Sequence, residues 1–195
     1  YDTNTSDWVL KGSALDLSGF TGSGNGKLSI NKDKTVISFI KGTSIYTYKW
    51  NNSTSLWDLE DTLNIENLDD NIGIDRNYGG NIIAFRDRSV ANNYGVYVYE
   101  WNGTTYVPLG SKIEINAFNI ALDATGHTIA ITITNSSETR IYKYDGISWN
   151  LRNTINYGRN VTINGAGDRV FLSYGYPDKS VMIQENSIAE KLNSI

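Results

Sequence analysis

The side chains that most often carry catalysis are few and scattered in this chain. His127 is its only histidine, and cysteine is absent. A site with several histidine ligands, a thiolate zinc site and a cysteine nucleophile are therefore excluded. A Ser-His-Asp triad would have to use His127, which lies in the turn sequence DATGHT. We expect His127 to be a solvated turn residue.

The carboxylates are not spaced for catalysis or for metal binding. Glycoside hydrolysis needs two carboxylates that face each other across about 5–10 Å, whereas Glu60 and Asp61 are adjacent in the sequence. Asp69 and Asp70, with Asp75, come nearest to a cation cluster. Calcium, however, takes about 6–8 oxygen ligands. We expect these aspartates to solvate a loop, and we predict no metal, no cofactor and no enzymatic activity.

Arginines and tyrosines are the better candidates for recognition. Arg86, Arg88 and Tyr94 fall within the segment RDRSVANNYG, and Tyr174 and Tyr176 fall within YGYPD. Aromatic faces beside Asn, Asp and Arg stack on sugars or anchor a protein partner. We predict these five residues as the ligand-binding set. Packing within turns is the alternative interpretation of the tyrosines.

These candidate residues belong to a unit that recurs along the chain. Each copy has an alternating strand, a polar turn and a second strand, which is a hairpin signature. The copies are Ile45–Leu59, Val96–Leu109, Arg140–Leu151 and Val181–Leu192, with a partial copy at Tyr1–Leu10. Their spacing is 51, 43 and 41 residues, counted between Trp50, Trp101, Tyr144 and Glu185. Periods of about 40–50 residues with several strands each predict the blades of a β-propeller.

A second, more apolar hairpin precedes each of these copies. Its first strand ends at Ile30, Ile74, Leu122 or Ile163, and its second begins near Ile37, Ile82, Ile129 or Val170. Near-continuous apolar runs are typical of strands buried on both faces. Each unit is therefore predicted to hold four antiparallel strands, named A to D from the inside outward. No helical periodicity is visible.

We therefore predict one all-β β-propeller domain, or a fragment of one, with about four blades over residues 1–195. The units are about 16–63, 64–113, 114–155 and 156–195, and residues 1–15 form the outer strand of the last or of a preceding blade. The ring is either closed with four blades or part of a larger ring. The sequence leaves both possibilities open.

One face of the predicted propeller varies more than the other. The A–B and C–D turns keep similar lengths in all units, whereas the B–C and D–A connections differ. In an up-and-down blade these two variable connections emerge on the same face. Insertions in repeats tend to map to the binding face, and recognition usually lies on variable loops held by a rigid scaffold. We expect the five candidate residues to lie there.

The overall composition narrows the class of partner. The chain has 195 residues, a net charge of −4, 39% hydrophobic residues and 12% aromatic residues. This suits a folded β domain and provides no basic field for nucleic acid. No apolar run approaches the roughly 20 residues of a membrane helix. Asn-x-Ser/Thr sequons, Asn135 among them, permit glycosylation in a secretory route.

Two strings in the middle of the chain carry a family resemblance. VYVYEWNGTTYVPLGSKI, followed by FNIALDATGHTIAI, resembles the propeller repeats of large surface and giant-virus proteins. Those repeats are similar to FG-GAP (integrin-like) blades. The resemblance implies a propeller fold and a role as a surface module. The alternating aspartates of the FG-GAP calcium loop are not present here, so it implies no metal site.

Together these observations predict a non-catalytic binding or structural module of a larger surface or virion protein. We expect an extracellular, cell-surface or virion location and a glycan or protein ligand, held on the face with the B–C and D–A connections. We expect neither nucleic-acid binding nor membrane insertion. Two alternatives stay open: a carbohydrate-active enzyme resembling sialidases or glycosidases, and a purely architectural repeat that self-associates in an assembly.

Overall fold

The computed structural model describes residues 6–15, 28–65, 73–87, 94–173 and 181–185. Within these ranges the chain forms β-strands and no helix. The strands are β1 Leu28–Ile30, β2 Val36–Lys41, β3 Ser44–Asn51, β4 Leu56–Asn64, β5 Ile74–Arg76, β6 Ile82–Asp87, β7 Gly95–Trp101, β8 Tyr106–Pro108, β9 Ala117–Leu122, β10 Thr128–Ile133, β11 Thr139–Tyr144, β12 Trp149–Ile155, β13 Asn160–Ile163, β14 Arg169–Ser173 and β15 Val181–Glu185.

The strands form four separate antiparallel sheets, each in simple sequence order. We call them blade 1 (β1–β4), blade 2 (β5–β8), blade 3 (β9–β12) and blade 4, of which three strands (β13–β15) are described. Because every sheet is a meander of neighbouring strands, each blade is built from consecutive residues. The predicted all-β architecture of about four antiparallel blades is confirmed.

The blades pack face to face through their apolar side chains. We call the face of a blade that contacts the preceding blade its back face, and the face that contacts the following blade its front face. In blade 2, Ile83 and Phe85 are buried on the back face against Ile40 and Ile45 of blade 1. The alternating residues Ile82 and Ala84 belong to the front face and join the core shared with blade 3. Both faces of the inner strand β6 are therefore buried, which explains its near-continuous apolar sequence.

An Asn or Asp side chain shapes each A–B turn. The Oδ1 atom of Asp123 accepts backbone N–H bonds from Gly126 (2.7 Å), His127 (3.0 Å) and Thr128 (3.1 Å). The corresponding residues of the other turns accept bonds in the same way; they are Asn31, Asn77 and Asn164. These side-chain oxygens replace turn carbonyls and satisfy the backbone donors locally.

The pairing registers correct one boundary in the predicted alignment of the units. Ile30 pairs with Ile37, and in blade 2 the residues at these positions are Arg76 and Ile83. The prediction that the first strand of this unit ends at Ile74 was therefore wrong, because β5 continues to Arg76. The predicted start of the second strand near Ile82 is confirmed. The sequence misled because a charged residue occupies a buried strand position.

Arg76 is accommodated at that position by hydrogen bonds within and between blades. It is buried (4% exposed), and its Nη1 atom donates to the Tyr106 hydroxyl at 2.9 Å and to the Gly80 carbonyl. Its Nη2 atom donates to Ser38 Oγ of blade 1. At this position the interface between blades 1 and 2 is thus polar, whereas the corresponding residues at the other two interfaces, Leu122 and Ile163, are apolar.

Residues 6–15 lie outside the named strands and contact the outer hairpin of blade 1. The Trp57 Nε1–H group donates to the Lys11 carbonyl at 2.9 Å, and Trp149 of blade 3 donates to the Leu109 carbonyl at 2.8 Å. The next residues, Gly12 and Gly110, both have a φ of +77°. Residues 11–12 therefore occupy the place where a D–A connection arrives from a preceding blade.

Asp75, beside Arg76 on β5, gives the fold a testable pH dependence. Burial is the largest influence and raises the pKa of Asp75 above its ordinary value of 3.8, although its Oδ2 accepts the Leu122 N–H at 2.8 Å. The folded state therefore binds the proton more tightly than the unfolded state, and the resulting stability is fully present below pH 3.8 and lost as the pH rises through the raised pKa. Asp75→Asn should abolish this dependence in urea unfolding followed across that window.

Asp145→Asn is the matched control, because the pKa of Asp145 is lowered in the folded state and its contribution to stability therefore changes with pH in the opposite direction. Backbone N–H bonds from Ser148 and Ile147 lower the pKa of Asp145, so its contribution is present above pH 3.8 and lost as the pH falls. Parallel pH profiles for wild type and Asp75→Asn would contradict the assignment.

Candidate functional site

The B–C and D–A connections of each blade leave the same edge of its sheet, because the strands alternate in direction. Where the B–C connection of blade 3 meets the end of the D–A connection that leads into blade 4, they border a groove of about 520 Å³. We call it the loop-face groove. Its lining residues are Phe118, Ile133, Thr134, Asn135, Ser136, Ser137 and Arg159.

The B–C turn of blade 3 forms one wall of the groove. Asn135 adopts a positive φ of 61°, a conformation that Asn tolerates better than most residues. The Thr134 N–H donates to the Asn116 carbonyl at 2.8 Å, which holds the turn against the D–A connection that leads into β9. Buried oxygens of the same two residues, Thr134 Oγ1 and Asn116 Oδ1, have no hydrogen-bond partner in the described part of the chain. The wall is therefore polar.

Arg159 supplies the charge of the groove. The backbone of Arg159 is fixed on both sides, since its N–H donates to the Ser173 carbonyl at 2.9 Å and its carbonyl accepts from Thr132 Oγ1 at 2.8 Å. Its guanidinium carbon lies 4.7 Å from the centroid of the Phe118 ring, within the range of a cation–π contact. The residue is exposed, and it forms no ion pair with any described carboxylate.

Arg86 does not line the groove, but it contacts Phe118, which does. It is 5% exposed, and its Nη1 atom donates to the Ala117 carbonyl at 2.9 Å. Its guanidinium carbon lies 5.8 Å from the centroid of the Phe118 ring. Arg86 thereby links blade 2 to the first residues of β9 and supports Phe118, so it does not face a ligand directly.

The other predicted site residues are not brought into the groove by the described structure. Tyr94 is partly buried just before β7 and does not line the groove. Arg88, Tyr174 and Tyr176 lie outside the described residues, and their assignment to the binding face stays a prediction.

Sequence reasoning missed the residues that line the groove. In the sequence, Asn135 is notable only as part of a sequon, and Arg159 belongs to no recognisable motif. Their proximity depends on two loops that are distant in sequence, and the pattern within one unit gives no signal for it. The run Thr134–Ser137 (TNSS), rich in hydroxyl and amide groups, was the available hint.

The remaining chemical candidates have structural roles where they are described. The His127 ring stacks on Tyr144 with centroids 5.8 Å apart. The Asp75 carboxylate accepts a hydrogen bond from the Leu122 N–H group. Asp69 and Asp70 lie outside the described residues. No group of three or more His, Asp or Glu residues suited to a metal occurs within the described ranges. Those ranges also contain no helix that could cross a membrane.

A second depression of about 460 Å³ follows the outer hairpin of blade 1. Its charged groups are paired with neighbouring side chains. Lys49 Nζ lies 3.3 Å from Glu60 Oε1, and the Asn51 amide donates a hydrogen bond to Asp58 at 2.8 Å. It runs along the C–D hairpin, on the side with the regular turns. The loop-face groove is therefore the better candidate.

Comparison with solved structures identifies the fold. The chain is similar to a putative 6-phosphogluconolactonase from Bacteroides fragilis (TM-score 0.60, 14% identity, 80% of this chain and 46% of that one). It is also similar to TolB from Acinetobacter baumannii (TM-score 0.54, 16% identity, 83% of this chain and 41% of that one). A third similar chain comes from a nidogen/laminin complex (TM-score 0.56, 12% identity, 83% of this chain and 59% of that one).

These likenesses show a β-propeller fold and nothing finer, because the sequence identities are low. The chain spans about half the length of the first solved chains that it matches (58%, 54% and 46%). No protein-family model and no curated protein sequence matches it.

Proposed function

We propose that this chain is a non-catalytic binding module that holds an acidic glycan in the loop-face groove. The observation that carries the proposal is the exposed Arg159 guanidinium, which no described carboxylate neutralises, beside a wall of hydroxyl and amide groups. An arginine pairs well with a carboxylate or sulfate through parallel hydrogen bonds. The hydroxyls of Ser136 and Ser137 and the amide of Asn135 suit a ligand with many hydroxyl groups.

The lining of the groove also favours binding over catalysis. Glycoside hydrolysis needs a pair of carboxylates at the scissile bond, and none of the residues that line the groove is an Asp, a Glu or a His. We therefore propose recognition without turnover. A location at a cell surface, outside the cell or on a virion stays part of the proposal, and the resemblance to surface-protein repeats supports it.

Arg159→Ala tests the site. Loss of one charge-assisted contact corresponds to about 1.5–3 kcal/mol, so the affinity for an acidic oligosaccharide, first identified on a glycan array, should fall at least about tenfold. The loss should shrink at high salt because the contact is exposed. Isothermal titration calorimetry measures both effects.

Arg152→Ala is the matched control, since it removes an exposed arginine on β12 that does not line the groove. It should bind as the wild type does. Preference for neutral glycans, equal losses in the two variants, or binding to proteins alone would contradict the acidic-glycan proposal. Release of sugar product on prolonged incubation would instead support the enzyme alternative.

A further inference from the structure

The described blades form a row with two uncovered faces. Successive inner strands contact each other in the order β1, β5, β9 and β13. Within the described ranges, no comparable contact joins β13 with β1. The back face of blade 1 and the front face of blade 4 are therefore not packed against each other.

The back face of blade 1 is apolar and exposed. Leu28 is 62% exposed, although the corresponding residues of the other blades are only 8% (Ile74), 5% (Ile120) and 8% (Val161) exposed. Ile30 is 46% exposed, and its counterparts in blades 2 to 4 are all buried. In every other blade, the preceding blade covers these positions.

The front face of blade 4 is also apolar and exposed. Phe171 and Ile183, which pair across β14 and β15, are 37% and 58% exposed. They correspond by register to the cross-strand pairs Ser38–Thr47, Ala84–Val98 and Ala130–Ile141. In blades 1 to 3 the β2, β6 and β10 members of these pairs are fully buried, with an exposed fraction of 0%.

The two uncovered faces have matching polarity. At the described interfaces, a polar residue of one blade meets a polar residue of the next, and an apolar residue meets an apolar one. The polar Ser38 of blade 1 receives the Arg76 guanidinium of blade 2. The apolar Ala84 shares a core with Leu122, and Ala130 shares one with Ile163. Arg76, Leu122 and Ile163 all correspond to Ile30. An apolar Phe171–Ile183 pair therefore fits the apolar Ile30 of a following blade.

The outer strands point to the same arrangement. Three strands of blade 4 are described, and β15 is the outermost of them. Trp8, Val9 and Leu10 are 83%, 58% and 90% exposed, and they directly precede the Lys11 carbonyl that occupies the place of an arriving D–A connection. Trp8–Leu10 thus has the position of a fourth strand for a blade set behind blade 1.

We propose that a second copy of this chain docks head to tail, with the front face of its blade 4 on the back face of blade 1. The contact continues the interface that already joins successive blades. Because the two surfaces differ, the contact is heterologous: two copies close into a ring if the rotation allows it, and otherwise the row extends. The proposal does not depend on the loop-face groove.

A charge exchange across this contact tests it. Sedimentation velocity and light scattering on the whole 195-residue chain should show a concentration-dependent assembly of at least twice the 21.7 kDa chain mass. Ile30→Lys alone and Phe171→Glu alone should each weaken association by about a hundredfold or more, because each buries an unpaired charge. The double variant should recover assembly, since the lysine introduced at position 30 of one copy then faces the glutamate introduced at position 171 of the next.

Ile147→Glu is the matched control, because Ile147 is 84% exposed at the tip of the outer hairpin of blade 3, on neither face. It should assemble as the wild type does. A wild-type chain that stays monomeric at all concentrations would overturn the proposal. In that case the exposed faces of blades 1 and 4 would be covered by each other or by a different protein. Assembly that survives both single variants would overturn it as well. Circular dichroism of each variant separates loss of docking from loss of folding.

Discussion

Phe85→Ala is expected to lower the free energy of unfolding by about 3–5 kcal/mol, which is the usual cost of removing a buried phenyl ring. Phe85 is 0% exposed in the core between blades 1 and 2. Its ring stacks on Tyr97 and Tyr99 with centroid distances of 5.5 and 5.6 Å. The substitution therefore removes both the apolar burial and two aromatic contacts.

Leu59→Ala serves as the comparison for Phe85→Ala, since Leu59 is 53% exposed on an outer strand. We expect it to change stability by no more than about 0.5 kcal/mol. Urea denaturation followed by tryptophan fluorescence measures both variants. Similar midpoints for the two would mean that the inter-blade core does not hold the fold together as described.

Gly126→Ala is expected to cost about 2–4 kcal/mol, from backbone strain and overpacking together. Gly126 has a φ of +81° in the A–B turn of blade 3. A Cβ atom there would lie 2.9 Å from three side-chain carbons of Ile82 in blade 2. Ile82 is 1% exposed in the core, so its side chain has little room to move away.

Gly146→Ala separates the two causes. Gly146 has a φ of +101°, and nothing lies within 4 Å of its Cβ position, so this variant meets backbone strain alone, at about 1–2 kcal/mol. The difference between the two midpoints measures how closely blade 2 packs against blade 3. Equal losses would show that the A–B turn of blade 3 can move away from blade 2.

The repeat could be predicted because its signals are local. Alternating strands such as Tyr97–Trp101 and turns that begin with Asn or Asp each lie within one hairpin, and blades 1 to 3 contain them as predicted. The meander follows from short connections between antiparallel strands. The order of the four blades therefore needed no information beyond the sequence period.

Contacts between blades were harder to predict. Arg76 occupies a position that is apolar in the other three blades, and its partners Ser38 and Tyr106 are 38 and 30 residues away. Its burial depends on that long-range set of acceptors, which no periodic pattern reveals. The loop-face groove has the same origin, since Phe118 and Arg159 meet only after blades 3 and 4 have packed together.

The Asn and Asp turns described for the inner hairpins bear on folding kinetics. The hydrogen bonds that Asp123 Oδ1 accepts span only 3 to 5 residues, so an inner hairpin can begin to form without any distant segment. Loop closure over so few residues costs little entropy, so we expect that folding can begin at any of the four hairpins. Replacing one turn residue should therefore slow its own hairpin while the other three still initiate folding, as in other repeat arrays.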